Sequence, residues 1–252
     1  MNDSQTYLNK KSFFDKMLTI YGRNAVVEAL EDEAIEIYKL HLSDSNKNEG
    51  VIKEIKSLAT KRNIEIAYHD KKALSRISKN AKQDQGVALD IILAHSSNED
   101  EFLANHQSYR ILALDRVQNP QNLGMIIRSA AAGNIDALLI QDASSAKISP
   151  LVIKASAGTL FKLPIIKSKG LLTSLKKFKG EGSSIYMLSS HAPKSYKDEV
   201  YGNKTIFVLG NESEGVSPEI EELSTASISI PMKRGVESLN VAVTASLLAF
   251  LD

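Results

Sequence analysis

Apolar and polar residues alternate through IEIYKLHLS (35–43) and IEIAYHD (64–70), the period of two half-buried strands. Between them, EGVIKEIKSLATKR (49–62) sets Val51, Ile52, Ile55, Leu58 and Ala59 on one face of a helix. Ala25–Leu30 and a short stretch near 71–78 also read as helices, and GVALDIILA (86–94) as a third strand. These elements predict a small α/β unit over 21–94. Residues 1–20 are polar apart from Phe13, Phe14, Met17 and Leu18, which suggests a loose arm or short helix. HSSNEDEFLANHQS (95–108) holds three acids and neither lysine nor arginine, and is expected to be a linker.

From Tyr109 a longer series begins. Strands are expected at RILALDRV (110–117), ALLIQD (137–142), SIYMLSS (184–190), TIFVLGN (205–211) and ASISIP (226–231). Helices are expected near 122–132, near 149–156 and at 239–251. Strands alternating with helices predict a mainly parallel sheet over 109–252. The last helix is apolar nearly all round, so it should face water on no side and be buried in its domain or against a partner. A symmetric dimer through this second domain is the expected assembly.

Composition narrows the function. With 43% hydrophobic and 24% charged residues the chain is globular, and its net charge of +1 excludes a binder working by bulk positive charge. Cysteine is absent, which removes disulfides, thiolate metal sites and a cysteine nucleophile. No apolar run reaches membrane length and the N-terminus is polar, so a cytoplasmic protein without a membrane anchor is expected. Eight lysines and no acid lie between Asp142 and Glu181; this stretch reads as a phosphate-facing surface or as a solvated lysine face. The P-loop, the dinucleotide fingerprint, H-E-x-x-H and G-x-S-x-G are all missing, and the five histidines show no ligand spacing, so no metal is expected.

Candidate chemistry gathers at three strand ends, where open α/β sheets bind ligands. In LDRVQNPQNLGMIIRSAAAG (114–133), Asn122 sits where a helix cap belongs, and Arg128 is one of seven arginines against 24 lysines. Either residue is a structural helix residue or a ligand contact. In FVLGNESEGVSPEI (207–220), Gly210 allows a ligand close to the backbone, Ser217 and Pro218 start a helix, and Glu212 can orient a polar ligand or a neighbouring loop. In ISIPMKRGVESLNVAVTASLLAFL (228–251), Ser238 reads as a cap and Asn240 is the odd polar residue at the helix start.

Together, N-P-Q-N-L-G-M-I-I-R-S-A, L-G-N-E-S-E-G and I-P-M…E-S-L-N-V-A resemble the three motifs of the SpoU (TrmH-like) branch of the SPOUT RNA methyltransferases. Upstream, Y-G-R-N-A-V-V-E-A-L (21–30) and Q-D-Q-G-V-A (83–88) are similar to the L30e-type substrate-binding domain of bacterial 23S rRNA guanosine-2′-O-methyltransferases. The resemblance implies a C-terminal trefoil knot, S-adenosylmethionine as methyl donor, and transfer to a ribose 2′-hydroxyl, of a guanosine in 23S ribosomal RNA or else of tRNA. A non-catalytic RNA-binding module and a ribosome-protecting resistance enzyme are the competing readings. It further implies Arg128, Asn122, Glu212, Ser238 and Asn240 as catalytic residues, and Leu209, Gly210, Ile230, Met232, Leu239 and Ser189 around the donor. A guanidinium holds its proton, so Arg128 is expected to clamp phosphate and steady the developing alkoxide rather than act as a base. Arg23 in the first domain and Lys154 and Lys162 in the lysine stretch are the expected RNA contacts, and a homodimer the expected form.

Overall fold

The computed structural model describes residues 17–33, 35–79, 83–92, 96–141, 145–211 and 213–252. It divides into two compact units, one of 1–94 with 148–154, the other of the remainder.

In the first unit, β1 (Met17–Tyr21), β2 (Glu36–Ser43), β3 (Glu65–His69) and β4 (Val87–Ile92) form a sheet in the order β1-β4-β2-β3. β4 runs antiparallel to both neighbours, and β2 and β3 pair in parallel. The alternation read at 35–43 and 64–70 is thus realised, but the chain enters the sheet earlier than expected. Residues 17–20, assigned to the arm, pair with 89–92 because Ile20 can bury its side chain opposite Leu89; residues 1–16 lie outside the described residues. Helices α1 (Arg23–Glu31) and α2 (Gly50–Lys61) pack on each other through Val26, Ala29, Leu30, Ile52, Ile55 and Ala59. Arg62 ties off α1: its guanidinium donates to the carbonyls of Ala29, Leu30, Asp32 and Ile35, meeting helix-end acceptors that would otherwise lack donors. α3 (Lys71–Ser78) follows β3 directly, with Asp70 capping it through Ala73 N at 2.7 Å.

The second unit holds a seven-stranded sheet in the order β11-β9-β10-β6-β7-β8-β5, every pair parallel. Its strands are β5 (Ser96–Ser97), β6 (Tyr109–Leu114), β7 (Ala137–Gln141), β8 (Ile165–Ser168), β9 (Ser184–Leu188), β10 (Lys204–Leu209) and β11 (Ala226–Ile228). Central strands of such a sheet are covered on both faces, and ILAL (111–114) and IFVL (206–209) are accordingly continuous apolar runs. The stretch 95–108 is no free linker. Ser96–Ser97 pairs with β8, α4 (Glu99–Asn105) follows under an Asn98 cap, and Phe102 enters the core against Tyr109 and Phe178. One buried aromatic in a polar stretch outweighs the three acids, which point elsewhere: Lys177 pairs with Asp100 at 2.7 Å.

The remaining helices are α5 (Pro120–Ala132), α6 (Pro150–Ser156), α7 (Leu171–Gly180), α8 (Pro218–Leu223) and α9 (Val241–Ala249). α6 belongs to the residues grouped with the first unit up to Lys154. α9 lies along α5, where Ser129 Oγ and Ser246 Oγ are 2.7 Å apart and Asn134 N donates to Ala249 O at 2.6 Å. A Cβ on Gly133 would sit 2.2 Å from that Ala249 carbonyl oxygen, so glycine is needed for the contact. Within the single chain Val243 and Phe250 are 48% and 60% exposed, so its own domain does not cover this helix on every side.

Candidate functional site

The strand ends of β6, β9, β10 and β11 bring their loops together beside the point where the sheet order reverses, between β6 and β10. There a cleft of about 690 Å³ opens, in the size range of small-molecule sites. Ser189, Ser190 and His191 line it from the end of β9, Leu209, Gly210 and Asn211 from β10, and Ile230 and Met232 from beyond β11. Ser238, Leu239 and Asn240 complete it on the way into α9. All six residues expected around the donor thus share one cavity, and Ser238 and Asn240 share it with them.

The capping chemistry differs from the sequence reading. Asn119, not Asn122, caps α5: its Oδ1 accepts from Gln121 N at 2.8 Å and Asn122 N at 3.2 Å. Asn122 is freed for another task. It is 7% exposed, and its Oδ1 accepts from Asn240 Nδ2 at 3.2 Å. Asn240 in turn caps α9 by accepting from Ala242 N at 2.8 Å, whereas Ser238 is exposed and caps nothing. Two motifs 118 residues apart are therefore fixed by one amide pair. Ser217 occupies the cap position of α8 without a side-chain cap bond; its N–H donates instead to Asp115 Oδ2 at 2.7 Å.

Gly210 also has a different reason. A Cβ there would lie 2.1 Å from the Gly215 carbonyl carbon, so the glycine admits the protein's own loop rather than a ligand. That loop closes on itself through Asn211 N to Gly215 O and Gly215 N to Asn211 O, at 3.0 and 2.9 Å.

Sequence reasoning missed Asp115 and Arg116, which hold this loop. Asp115 is buried and receives both Ser217 N and Arg116 Nε. Arg116, at φ +58, pairs with Glu214 and donates to the Gly215 carbonyl, while Asn211 Nδ2 donates to Arg116 O at 3.1 Å. Burial works against the guanidinium's charge, yet Asp115 and Glu214 together raise its pKa above the ordinary arginine value. Glu214 is thus an ion-pair member and not a plain solvated acid. The adjacent D-R at the end of a predicted strand was the available signal.

Arg128 is not brought to the cleft. It lies six residues beyond Asn122 on α5, on the exposed face, with no ion pair or hydrogen bond among the described residues. Met125, 42% exposed, shares that face one turn earlier. Glu212 lies outside the described residues. Arg23, first residue of α1, is half-buried and donates from Nε to Gln85 O at 3.3 Å. Lys154 and Lys162 are exposed, but the lysine stretch is not uniformly free: Lys177 is paired with Asp100, and Lys179 donates to Leu223 O at 2.5 Å. Among the described residues no group of three or more histidines, aspartates or glutamates is arranged to hold a metal ion.

The loops that build the cleft belong to a known sequence pattern: the profile of the SpoU rRNA Methylase family covers residues 109–250. The chain belongs to the SpoU rRNA methylase family. A second profile, RNA 2′-O ribose methyltransferase substrate binding, covers residues 19–95, which begin within β1. The reaction class follows from the family: methylation of an RNA ribose 2′-hydroxyl. A 23S rRNA (guanosine-2′-O-)-methyltransferase RlmB of Xanthomonas axonopodis pv. citri is 32% identical over 92% of this chain and 94% of its own. The crystal structure of the SpoU methyltransferase AviRb from Streptomyces viridochromogenes, in complex with AdoMet, has the same fold, with a TM-score of 0.66 at 20% identity over 96% of this chain and 90% of that one. The TrmH/SpoU tRNA modifying enzyme of A. aeolicus matches 60% of this chain and 80% of its own, at 27% identity and a TM-score of 0.51.

Proposed function

We propose that this chain transfers the methyl group of S-adenosylmethionine to the ribose 2′-hydroxyl of a guanosine in 23S ribosomal RNA, as a cytoplasmic homodimer. The observation that carries the reading is the meeting of Ser189, Leu209, Gly210, Ile230, Met232 and Leu239 in one cleft of about 690 Å³. Leu209, Ile230 and Leu239 offer an apolar slot for adenine, and the exposed strand-end backbone offers the donors and acceptors its edge requires. When bound, the donor supplies an electrophilic methyl on a sulfonium whose charge disappears on transfer. The chain's own part is to place the hydroxyl in line and to meet its developing negative charge.

Asn122 and Asn240 fix the wall on which Ser238 stands, and Glu212 belongs to the loop that Arg116 anchors. Arg128 clamps RNA phosphate with its planar fork. It acts from the exposed face of α5 that also carries Met125, while exposed Val243 of α9 is where the partner subunit packs in the proposed dimer. In this reading Arg23, Lys154 and Lys162 contact RNA phosphates, residues 19–95 select the RNA, and the family's trefoil crossing shapes the segment between β10 and α9. Ribosomal RNA is favoured over tRNA because the full-length relatives include enzymes named for 23S rRNA, whereas the A. aeolicus tRNA enzyme matches 60% of the chain.

The test is methylation with radiolabelled donor of 23S rRNA, 16S rRNA and bulk tRNA, followed by mapping of 2′-O-methyl positions in RNA from a deletion strain. One guanosine of 23S rRNA should lose its methyl group in that strain. Label incorporated into tRNA alone would overturn the ribosomal assignment.

A further inference from the structure

Four side chains far apart in sequence join across the sheet of the first unit. Thr19 on β1 donates from Oγ1 to Asp90 Oδ1 on β4 at 2.6 Å. Asp90 Oδ2 lies 2.9 Å from His41 Nε2 on β2, and His41 Nδ1 lies 3.0 Å from His69 Nε2 on β3. Asp90 and His41 are 6% and 7% exposed, while His69 is half-buried. Nothing among the described residues pairs with the other His69 nitrogen, Nδ1, and it is not a buried atom. Apolar side chains would fill these strand positions without the desolvation cost of a carboxylate, so the relay is not what packing alone selects.

Counting protons shows what it does. With His41 Nε2–H donating to the Asp90 carboxylate, neutral His41 presents a lone pair at Nδ1. His69 must then donate from Nε2, which leaves its outward Nδ1 a bare acceptor. Adding one proton reverses this. Whether the charge rests on His69 or on His41, with the shared hydrogen moved, His69 Nδ1 now carries an N–H. A second proton would set two N–H groups against each other at 3.0 Å, so the pair takes up one. Asp90 supplies the compensating charge.

We propose that His69 Nδ1 is a phosphate contact for RNA, made competent by uptake of one proton into this relay. The proposal rests on the reading that residues 19–95 hold the RNA. Exposed Lys71 and Lys72 follow His69 in the first turn of α3, where no acid stands, and would share the phosphate. The other charged groups around the relay are few. Lys39 and Glu65 pair with each other at 2.9 Å. Asp44, whose N–H donates to His69 O, and Asp70 lie on the flanking turns. Arg76 stands in the last turn of α3, the helix that follows β3. Imidazole is the side chain that ordinarily exchanges a proton between pH 5 and 8, which sets the range for the test.

Filter binding of in-vitro transcribed 23S rRNA to the full-length protein, from pH 5.5 to 8.0 at fixed ionic strength, tests this with His69→Gln beside the wild type. One linked proton weakens binding by up to about tenfold per pH unit as pH rises through the transition. That slope should be present in the wild type and absent in His69→Gln, with the two proteins equal at pH 8.0. Donor affinity by calorimetry should be unchanged, which shows that the variant is folded. Independently of any variant, calorimetry in two buffers of different ionisation enthalpy should count proton uptake when the wild type binds RNA. Equal slopes in both proteins, or no proton uptake, would overturn the proposal while leaving the methyltransferase reading intact. A wild type that binds no 23S rRNA at any pH overturns both.

Discussion

At Gly210 the space for a side chain is already taken by backbone. A methyl group placed 2.1–2.3 Å from Gly215 and Val216 has no flexible neighbour to displace, so the 211–215 loop must move. Gly210→Ala should lose about 1–3 kcal/mol in urea unfolding and weaken donor binding; unchanged donor affinity would show that the loop does not shape the cleft. Asn240 is a different case, because its side chain serves both as the cap of α9 and as the donor to Asn122. Asn240→Ala should cost about 1 kcal/mol for the cap and reduce methyl transfer beyond that loss, whereas Asn240→Asp should retain the cap and lose the bond to Asn122. Among the described residues Arg128 has no hydrogen bond or ion pair to lose. Arg128→Ala should therefore leave the melting temperature and donor affinity unchanged while nearly abolishing methyl transfer, and Arg128→Lys should be almost as inactive, since an ammonium cannot reproduce the planar fork. Wild-type turnover by the lysine variant would remove the clamp.

Among the elements, α9 is packed on α5 along one side, while Val243 and Phe250 are exposed. Apolar side chains on the outer face of a terminal helix are the usual material of a twofold contact. Sedimentation should give twice the chain mass for the wild type and the single-chain mass for Val243→Glu combined with Phe250→Glu. A wild type that is active as a monomer would remove the interface. The segment between β9 and β10 carries a second element-scale effect. Tyr201 donates to Tyr196 O at 2.5 Å within an aromatic group formed with Tyr186 and Phe207, and burial, helped by nearby Glu199, pushes its phenol up to about 12. The folded state therefore keeps a proton that the unfolded chain gives up near pH 10. This contribution is fully present below pH 10 and lost as pH rises towards 12. Stability of the wild type should fall over that window, and Tyr201→Phe should flatten the fall.

For the whole molecule, a net charge of +1 leaves RNA affinity to local surfaces. Because Ser96–Ser97 and α4 belong to the second unit, a truncation should begin at Ser96 and not at the end of the acidic stretch. Residues 96–252 should bind S-adenosylmethionine as the full chain does. Their affinity for 23S rRNA should be weaker, with a shallower dependence on salt, each lost phosphate contact removing about 0.7 from the log–log slope for single strands. A truncated protein with the full-length slope would leave recognition to the lysines of 143–180.

Periodicity determined the parallel sheet and most of its strands, because a strand covered on both faces must be apolar throughout and that demand is local. The resemblance of the second and third motifs to the family pattern likewise singled out Leu209, Gly210, Ile230, Met232 and Leu239, which meet in the cleft, since each motif is a strand end with its own turn. Sequence alone could not assign the caps, because asparagine and serine suit the same positions and only backbone geometry chose Asn119 and Asn240. It could not place Arg128, whose side depends on which face of α5 meets α9. Nor could it connect Thr19, Asp90, His41 and His69, which contribute one residue from each of four strands. Their contact depends on strand order and register, and these are set by how the two faces of the sheet are covered, a property of the folded chain and not of any one segment.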